Sequence, residues 1–370
     1  MTSPAPRDIW NQIARSDPLA GPSQVPEWLD CACHAEGWTD ASRLYELSSG
    51  RRVVAPMVRR TLVPIGGLPA LFDTYASMPR GWSVGGIVAP GGATAEDVMA
   101  VVPDLASTPG ARILIRPDFS AAPVWVDALP RTFCSSPRRC SETRQPTYIL
   151  DLDGGFEEVW KKRFGSKARS GIRNAQRKSE AAGLVIECGS SPQLVHDFYD
   201  VYLRWLDRRA YERHTPRAVA RWAGCRREPF RRFETVARVF GDRSRIWVAY
   251  LDGVPVAAAY AVYHGAIGMG WRAFSDRALA GTLRTHELLQ VRAVEHACLL
   301  GCRYFDMGPT GGVAGLEHVK RRFGGVAHHA PEFAWEQIPL SRIGQGFIRV
   351  RRRVELATLA LPSLRSGQKS

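Results

Sequence analysis

The sequence lacks any hydrophobic run that approaches the roughly 18 uninterrupted apolar residues needed to cross a bilayer. Its opening segment, MTSPAPRDIWNQIARSDPLA, has no apolar core behind a basic start, so it does not predict a secretory signal. These two absences predict a protein that stays in the cytoplasm.

Cysteine is scarce as well, with 8 residues in a chain of 370, which is too few for a disulfide framework. Cys31 and Cys33 form a C-x-C motif followed by His34, while Cys134 and Cys140 lie further apart. Neither pair has a second C-x-x-C or H-x-x-x-H partner at zinc spacing. The sequence therefore predicts buried or unreactive thiols and no metal site.

Three common catalytic motifs are missing too. The sequence contains no G-x-x-x-x-G-K-[ST] loop, no G-x-G-x-x-G after a strand and no G-x-S-x-G elbow. Their absence argues against ATP hydrolysis, dinucleotide-dependent redox chemistry and serine hydrolysis.

Positive charge, by contrast, is abundant, and the formal net charge is +14. Residues 161–245 hold 21 Lys or Arg against 9 Asp or Glu, and a second cluster is formed by Arg349, Arg351, Arg352 and Arg353. Such a concentration attracts polyanions and speeds their encounter with the protein. The alternative is the arginine usage of a GC-rich genome, with every charge merely solvated.

Two segments of the chain follow the same plan. Residues 43–60 and 245–263 each read as a strand, a tight turn and a second strand, and Asp252-Gly253 is a strong hairpin signal. A third strand is predicted at 266–274. Each half then continues with a helix and another strand, at 96–106 and 111–119 in the first and at 283–301 and 302–308 in the second. Thr94 and Asp97 predict a capping box for the first of these helices.

A basic helix is predicted between the two halves. Arg169, Arg173 and Arg177 fall at positions i, i+4 and i+8, so they form one ridge on that helix, with Lys167 just before it. The ridge could grip successive phosphates or form an ordinary solvated face. Further along, arginines alternate with Trp205, Tyr211 and Trp222, which could stack on bases or pack in a core.

The segment YFDMGPTGG followed by GLEHVKRRFGG resembles the FemABX family of the GNAT (Gcn5-related acetyltransferase) superfamily. That family carries an aromatic-D-x-G strand and a G-L-x-x-F-K-x-x-F-G signature, matched here by Phe305, Asp306, Gly308, Gly315, Leu316, Lys320, Phe323 and Gly324. Val319 departs from the pattern, since the family usually has Phe there. A second block, residues 151–183, is similar to the family's D-L, S-x-K-x-R and I-R-x-A stretch. The resemblance covers about residues 145–335.

The resemblance implies a mixed-sheet α/β protein of two tandem GNAT-like lobes. We predict an N-terminal lobe over residues 1–145 and a C-terminal lobe over 146–340, with the FemABX-like motifs and the basic helices. A basic helix or tail is predicted at 341–370.

The same resemblance assigns catalytic roles to individual residues. It places Lys320 at the carbonyl under attack, where a cation stabilises the oxyanion that forms. The alternative is that Lys320 only forms the basic end of a helix. We expect that replacing Lys320 by Ala leaves the fold intact. Asp306 could orient the amine or be a turn carboxylate, and His286 could shuttle a proton or cap a helix. Arg272, Arg322 and Phe323 complete the predicted substrate-binding set with the basic ridge.

The family transfers amino acids from charged tRNA to amines, so the resemblance implies an aminoacyl-tRNA donor, no bound cofactor and an amine-bearing small molecule or peptide acceptor. The long helical hairpin of some cell-wall members is missing, which favours a small acceptor. The glycine loop that cradles the CoA pyrophosphate in GNAT enzymes reads SDRALAGTLRT here, with one glycine. Two alternatives remain open, an acyl-CoA-dependent N-acyltransferase and a non-catalytic module that binds nucleic acid or polysaccharide.

Overall fold

The computed structural model describes residues 1–61, 73–132, 139–281 and 283–336. The strands are β1 (Thr39–Asp40), β2 (Arg43–Glu46), β3 (Arg52–Ala55), β4 (Val58–Thr61), β5 (Asp73–Ala76), β6 (Arg112–Ile115), β7 (Arg139–Asp151), β8 (Val185–Gly189), β9 (Ser244–Leu251), β10 (Val254–His264), β11 (Ile267–Ser275), β12 (Tyr304–Pro309) and β13 (Val326–Glu336). The helices are α1 (Arg7–Ser16), α2 (Pro26–Glu36), α3 (Ala95–Ser107), α4 (Ala122–Thr132), α5 (Gly155–Glu158), α6 (Ser166–Ala181), α7 (Pro192–Glu212), α8 (Arg217–Arg227), α9 (Phe230–Phe240), α10 (Arg277–Ala280), α11 (Thr285–Leu299) and α12 (Ala314–Arg322). The predictions for Cys134 and for residues 341–370 lie outside the described residues.

One mixed sheet contains all of these strands except β2 and β3, in the order β1-β4-β5-β6-β13-β7-β12-β11-β10-β9-β8. In the first half, β4 is antiparallel to β5, the chain crosses over through α3, and β6 is parallel to β5. In the second half, β10 is antiparallel to β11, the chain crosses over through α11, and β12 is parallel to β11. The same plan therefore occurs twice in one continuous sheet, which confirms the predicted mixed α/β fold with two lobes.

The first predicted hairpin, at residues 43–60, is only partly correct. β2 and β3 do pair, with Tyr45 opposite Val53, but they form a separate two-stranded sheet. The run breaks at Pro56, which cannot donate to a ladder, and the chain then enters the main sheet as β4. The main sheet of this lobe also uses β5, whose four residues are too few to give a clear periodic signal.

The hairpin of the second lobe matches its prediction. β9 and β10 are joined by Asp252 and Gly253, whose φ angles of 50° and 74° are both left-handed, as a type I′ turn requires. β11 then adds the third strand. The predicted capping box of α3 is also present, because Thr94 Oγ1 accepts from the Asp97 N–H at 3.2 Å while the Asp97 carboxylate accepts from the Thr94 N–H at 2.8 Å.

The two lobes are joined inside the sheet by β13 and by β7, its longest described strand. β13 pairs with β7 along its whole length, from Val326 opposite Ile149 to Glu336 opposite Arg139. β13 also pairs with β6 of the first lobe, and β7 pairs with β12 of the second. The division at residues 145 and 146 falls within β7, and the domain boundaries stay a prediction.

Three tryptophans pack the first lobe against the second. The ring of Trp28, on α2, lies 5.4 Å from Trp82 and 4.9 Å from Trp271 of β11, and Trp82 lies 5.7 Å from Trp271. All three side chains are buried. Aromatic pairs at these separations contribute about 0.5–1.5 kcal/mol each beyond their buried area. The cluster therefore fixes α2 against the face of β11.

A buried ion network adjoins this tryptophan cluster. Arg232, on α9, is 1% exposed and pairs with Glu36 of α2 and with Glu228, and Glu228 also pairs with Arg272 at 3.0 Å. Gly81 lies against the guanidinium with φ +92°, and a Cβ there would meet Arg232 Nη1 at 2.6 Å. A glycine is therefore required at this position, both for the backbone conformation and for the close approach.

The described residues contain no helix that is long and apolar enough to cross a membrane. They also contain no group of three His, Cys, Asp or Glu side chains that could hold a metal ion. Burial raises the pKa of Cys31 and of Cys33 to about 12, so both thiols are protonated at neutral pH.

Candidate active site between the two lobes

β6 and β12, one from each lobe, run in opposite directions, and their carboxyl ends point towards each other at a cleft over β7 and β13. This interlobe cleft has a volume of about 150 Å³. Its polar lining comes from both lobes and comprises Gln24, Arg116, Asp118, Gln145, Thr147, Asp306 and Glu332. The carboxyl ends of strands are a common place for ligand sites in α/β proteins, and the cleft follows that rule in both lobes.

Asp306, on β12, presents its carboxylate to the interlobe cleft. Oδ1 accepts hydrogen bonds from the Thr147 hydroxyl at 2.8 Å and from the Gly308 N–H at 2.7 Å. Burial raises the pKa of Asp306, although these hydrogen bonds and the charge of Lys320 act in the opposite direction. A carboxylate with a raised pKa accepts a proton more readily near neutral pH, which suits a group that receives the proton of an amine.

Lys320 reaches from the last turn of α12 to the end of β12. Its ammonium donates to the carbonyl oxygens of Met307 at 2.5 Å, Gly308 at 2.7 Å and Pro309 at 3.1 Å. Burial lowers the pKa of Lys320 to about 8, against the opposite effect of Asp306. Lys320 is thus more than the basic end of a helix. The bond to Pro309 is the longest and the most exposed of the three, so it is the one that a substrate oxygen could replace.

The pKa of Lys320 gives an expected pH dependence. If the reaction needs the ammonium, kcat/KM should fall as the pH rises through about 8, because the charged form is lost there. The variant Lys320→Arg should retain its residual activity above this pH, since a guanidinium stays charged. The measurement is kcat/KM against pH for the wild type and for Lys320→Arg, with the same acceptor. The titration of the acceptor then cancels in the ratio of the two kcat/KM values. A ratio that does not change across pH 8 would contradict the requirement for the ammonium.

His286 lies in the first turn of α11. Burial lowers the pKa of His286, and the charges of Lys320 and Arg277 lower it further against the effect of Glu287, so the imidazole is neutral near pH 7. Beside it, Thr285 is buried and its hydroxyl has no hydrogen-bond partner within the described part of the chain. The start of α11 therefore combines a neutral histidine with an unsatisfied hydroxyl.

The predicted basic ridge lies on α6 as expected, but its members differ. Arg169 Nη1 donates to the carbonyl oxygens of Lys161 at 2.6 Å and Phe164 at 2.7 Å, so this guanidinium holds the preceding turn in place. Arg173 lies 5.7 Å from the centre of the Trp160 ring. Arg173, Arg177 and Lys167 are exposed. These exposed cations are free to meet an anion, whereas Arg169 is used within the protein.

The other three predicted substrate-binding residues do not line the interlobe cleft. Arg272 donates to Glu228 and to the carbonyl of Gly81 at 2.8 Å, so its donors point into the buried ion network. Phe323 is fully buried, and its ring lies 5.0 Å from that of Phe164. Arg322 Nη2 donates to the carbonyl of Lys167 at 3.1 Å, which joins α12 to α6. Their part in substrate binding stays a prediction.

Sequence reasoning missed Gln24 and Asp118 in the cleft and His328 beside it. Asp118 accepts from the Gln24 amide at 3.0 Å and from backbone N–H groups at the start of α4. His328, on β13, is opposite Thr147 in register; burial lowers its pKa and Asp306 opposes the shift. The cue that singled out Asp306, a carboxylate near the end of a strand, also applies to Asp118 after β6. No sequence cue places Gln24 or His328 here.

Comparison with known proteins agrees with this fold. Residues 166–321 match the family model of the acetyltransferase (GNAT) domain. The crystal structure of FemX superposes with a TM-score of 0.64 at 12% identity, covering 92% of this chain and 98% of FemX. A conserved protein of unknown function from Bacteroides thetaiotaomicron VPI-5482 gives 0.53 at 11% identity, covering 90% and 98% of the two chains. No curated protein matches the sequence.

The domain match identifies an acyltransferase domain with a GNAT fold over residues 166–321. The two-lobed arrangement of the chain is the FemABX-like form of that fold, as in FemX. The predicted resemblance and the predicted enzyme class are both confirmed.

Proposed function

We propose that the protein is an aminoacyltransferase that moves an amino acid from an aminoacyl-tRNA to an amine of a small molecule or peptide. One observation carries the proposal: Asp306 and Lys320 both contact the backbone near the end of β12, at the edge of the interlobe cleft. The carboxylate is placed to receive a proton from an amine, and the ammonium is placed to stabilise a developing oxyanion.

The chemistry requires little beyond these two groups. The acceptor nitrogen attacks the ester carbonyl of the charged tRNA, an N–C bond forms, and the ester C–O bond to the ribose breaks. The amine proton passes to Asp306 and is returned to the departing ribose oxygen. The ester is already activated, so orientation of the two reactants and stabilisation of the tetrahedral oxyanion account for the catalysis.

The interlobe cleft supports an amine-bearing acceptor of modest size. The carboxylates of Asp118 and Asp306 can accept hydrogen bonds from the N–H groups of an amine, and the volume of the cleft is about 150 Å³. The longest described helix, α7, has 21 residues, so no long helical hairpin is present in the part of the chain that the structure describes. A small natural product or the end of a peptide, including a cell-wall precursor, fits this cleft.

The segment before α11 supports a donor other than CoA. The Asp276 carboxylate accepts from the N–H groups of Ala278 at 3.0 Å and Leu279 at 3.4 Å. These residues form α10, and a carboxylate already satisfies the backbone groups there. A charged tRNA needs no pyrophosphate cradle, and its phosphates would meet the exposed cations of α6 instead. Charged tRNA also places the reaction in the cytoplasm.

An acyl-CoA-dependent N-acyltransferase is the second candidate, because the matching family model describes acetyltransferases. The two donors are distinguished by incubating the protein with tRNA charged with labelled amino acids, or with labelled acetyl-CoA, and a panel of amines. We expect transfer from the charged tRNA that ribonuclease treatment abolishes. Transfer from acetyl-CoA without transfer from tRNA would replace the proposal with the second candidate.

Asp306→Asn provides the internal control for this assay. The substitution keeps the shape and the hydrogen bond from Thr147 but removes the proton acceptor, so turnover should fall by about 10²-fold, within the usual range for a general base. Normal turnover in this variant would remove Asp306 from the mechanism while leaving the choice of donor open.

A further inference from the structure

A second cleft lies between α7 and α8, away from the interlobe cleft. It has a volume of about 450 Å³, and its lining includes Trp205, Arg209, Arg213, Val219, Ala223 and Arg227. We call it the α7–α8 cleft. The reaction described above makes no use of it.

The positive charge of the α7–α8 cleft is not compensated by nearby acids. Arg209, Arg213 and Arg227 have no carboxylate partner among the described residues. The neighbouring acids already pair with other arginines. Asp207 pairs with Arg217 and Arg221, both at 2.7 Å, and Glu212 pairs with Arg208 at 3.2 Å.

The pKa of Arg209 reflects the repulsion between the arginines of the cleft. Burial lowers the pKa of Arg209, and the charges of Arg213, Arg208 and Arg227 lower it further against the effect of Glu212. An anion bound in the cleft would relieve this repulsion.

Two exposed aromatic rings stand on the helices that form the cleft, although they do not line it. Trp222 is 65% exposed and Tyr211 is 85% exposed, although large aromatic side chains are usually buried. Arg226 lies 5.1 Å from the Trp222 ring, and Arg209 lies 4.9 Å from the Trp205 ring. Exposed rings beside arginines are the usual arrangement for binding a nucleic-acid strand, since bases stack on the rings while cations contact phosphates.

The α7–α8 cleft lies beside the carboxyl end of β11, from which the chain continues through α10 to α11. Arg208, on α7, donates to the carbonyl of Ser275 at 3.5 Å, and Arg204 lies 3.5 Å from the Asp276 carboxylate. Ser275 ends β11, and Asp276 caps α10, the element before α11. A polyanion in the cleft would therefore run towards the side of the second lobe that holds Lys320, because β11 and β12 are parallel and end on the same side.

We propose that the α7–α8 cleft binds an RNA strand, with Arg209, Arg213 and Arg227 on successive phosphates and Trp222 and Tyr211 against bases. The identification of this RNA as the body of the donor tRNA rests on the proposed function. A concave cleft between two helices suits a strand better than the flat surface of an anionic bilayer, which is the other polyanion that such side chains attract.

The test measures the binding of deacylated total tRNA to the full chain at several salt concentrations. The triple variant Arg209→Gln, Arg213→Gln, Arg227→Gln should make the slope of log K against log salt shallower by about 2, since each lost phosphate contact to a strand removes about 0.7. The matched control replaces Arg15, Arg231 and Arg238, three exposed arginines elsewhere, with Gln. It removes the same charge and should leave the slope close to that of the wild type.

Trp222→Ala tests the stacking contact separately. It should weaken tRNA binding about tenfold with no change in the salt slope, because a ring carries no charge. If the triple variant does not fold, as judged by circular dichroism, Arg213→Glu replaces it, since this side chain is exposed.

Several outcomes would overturn the inference. They are an equal slope in the triple variant and the control, normal binding by Trp222→Ala, or binding of the wild type to phosphatidylglycerol vesicles but not to tRNA. The assay uses deacylated tRNA and no acceptor, so its result is independent of whether aminoacyl transfer occurs.

Discussion

Replacement of Lys320 by Ala is expected to lower kcat by about 10²- to 10³-fold, the usual effect of losing one oxyanion donor. The ammonium lies at the end of β12, where it can exchange its bond to Pro309 for the carbonyl oxygen of the substrate. This interaction strengthens as the oxyanion forms, so KM for the donor should change much less than kcat.

The structure adds a cost that the sequence did not indicate. Lys320 satisfies three backbone carbonyls, so Lys320→Ala should also destabilise the fold by about 1–3 kcal/mol rather than leave it intact. Lys320→Arg should restore the charge but recover only part of the turnover, because a planar guanidinium cannot replace a compact ammonium inside a ring of carbonyls.

Arg321→Ala is the matched control for Lys320, because it removes a cation from the next position on α12. Arg321 is exposed and pairs with Glu317 at 3.0 Å, so both turnover and stability should remain close to those of the wild type. The measurements are kcat and KM at one salt concentration, with the folded fraction checked at the assay temperature. Near-normal kcat in Lys320→Ala, or a loss confined to KM, would show that Lys320 is not the oxyanion donor.

Replacement of Arg232 by Ala should lower the free energy of unfolding by about 3–5 kcal/mol. The guanidinium is buried and pairs with both Glu36 and Glu228. Its removal would leave Glu36 and Glu228 without the cation that they share, although Arg272 would still pair with Glu228. The cost comes from these uncompensated buried charges more than from the lost bonds.

Urea unfolding followed by tryptophan fluorescence and circular dichroism would measure this change. Arg231→Ala is the control, because the neighbouring residue is exposed and should alter stability by less than about 0.5 kcal/mol. Adding Glu36→Gln to Arg232→Ala should recover part of the loss, since one unpaired charge is then removed. If Arg232→Ala matched its control, the network would contribute little to the stability of the fold.

The sequence predicted the parts of the fold whose signals are local. The Asp252-Gly253 turn, the capping box at Thr94 and the long run of α11 are each specified by neighbouring residues, and all three are present. β5 was missed because four residues give little pattern. The hairpin at residues 43–60 was extended too far because its second strand is followed, after Pro56, by another extended segment that joins a different sheet.

The site was less accessible to sequence reasoning, because its contacts span the whole chain. Nothing in the local sequence shows that Lys320 bonds to the carbonyls of β12, or that Gln24 and Asp118 meet Asp306 in one cleft. Arg272 was chosen as a substrate ligand for its charge, but its donors are used by Glu228, a partner 44 positions away. Charge and residue type indicate chemistry, while the partner of each group depends on tertiary packing.

The pairing of β7 with β13 bears on how substrates are selected. The floor of the interlobe cleft is an unbroken ladder that belongs to both lobes, so the lobes cannot open like a hinge without breaking it. The cleft is therefore preorganised, and an acceptor meets walls that already have their final shape. The proposed acceptor would therefore be selected as it enters the cleft rather than by a hinge motion of the two lobes. Selectivity should then be retained in fragments of the acceptor, with affinity lost in proportion to the contacts removed.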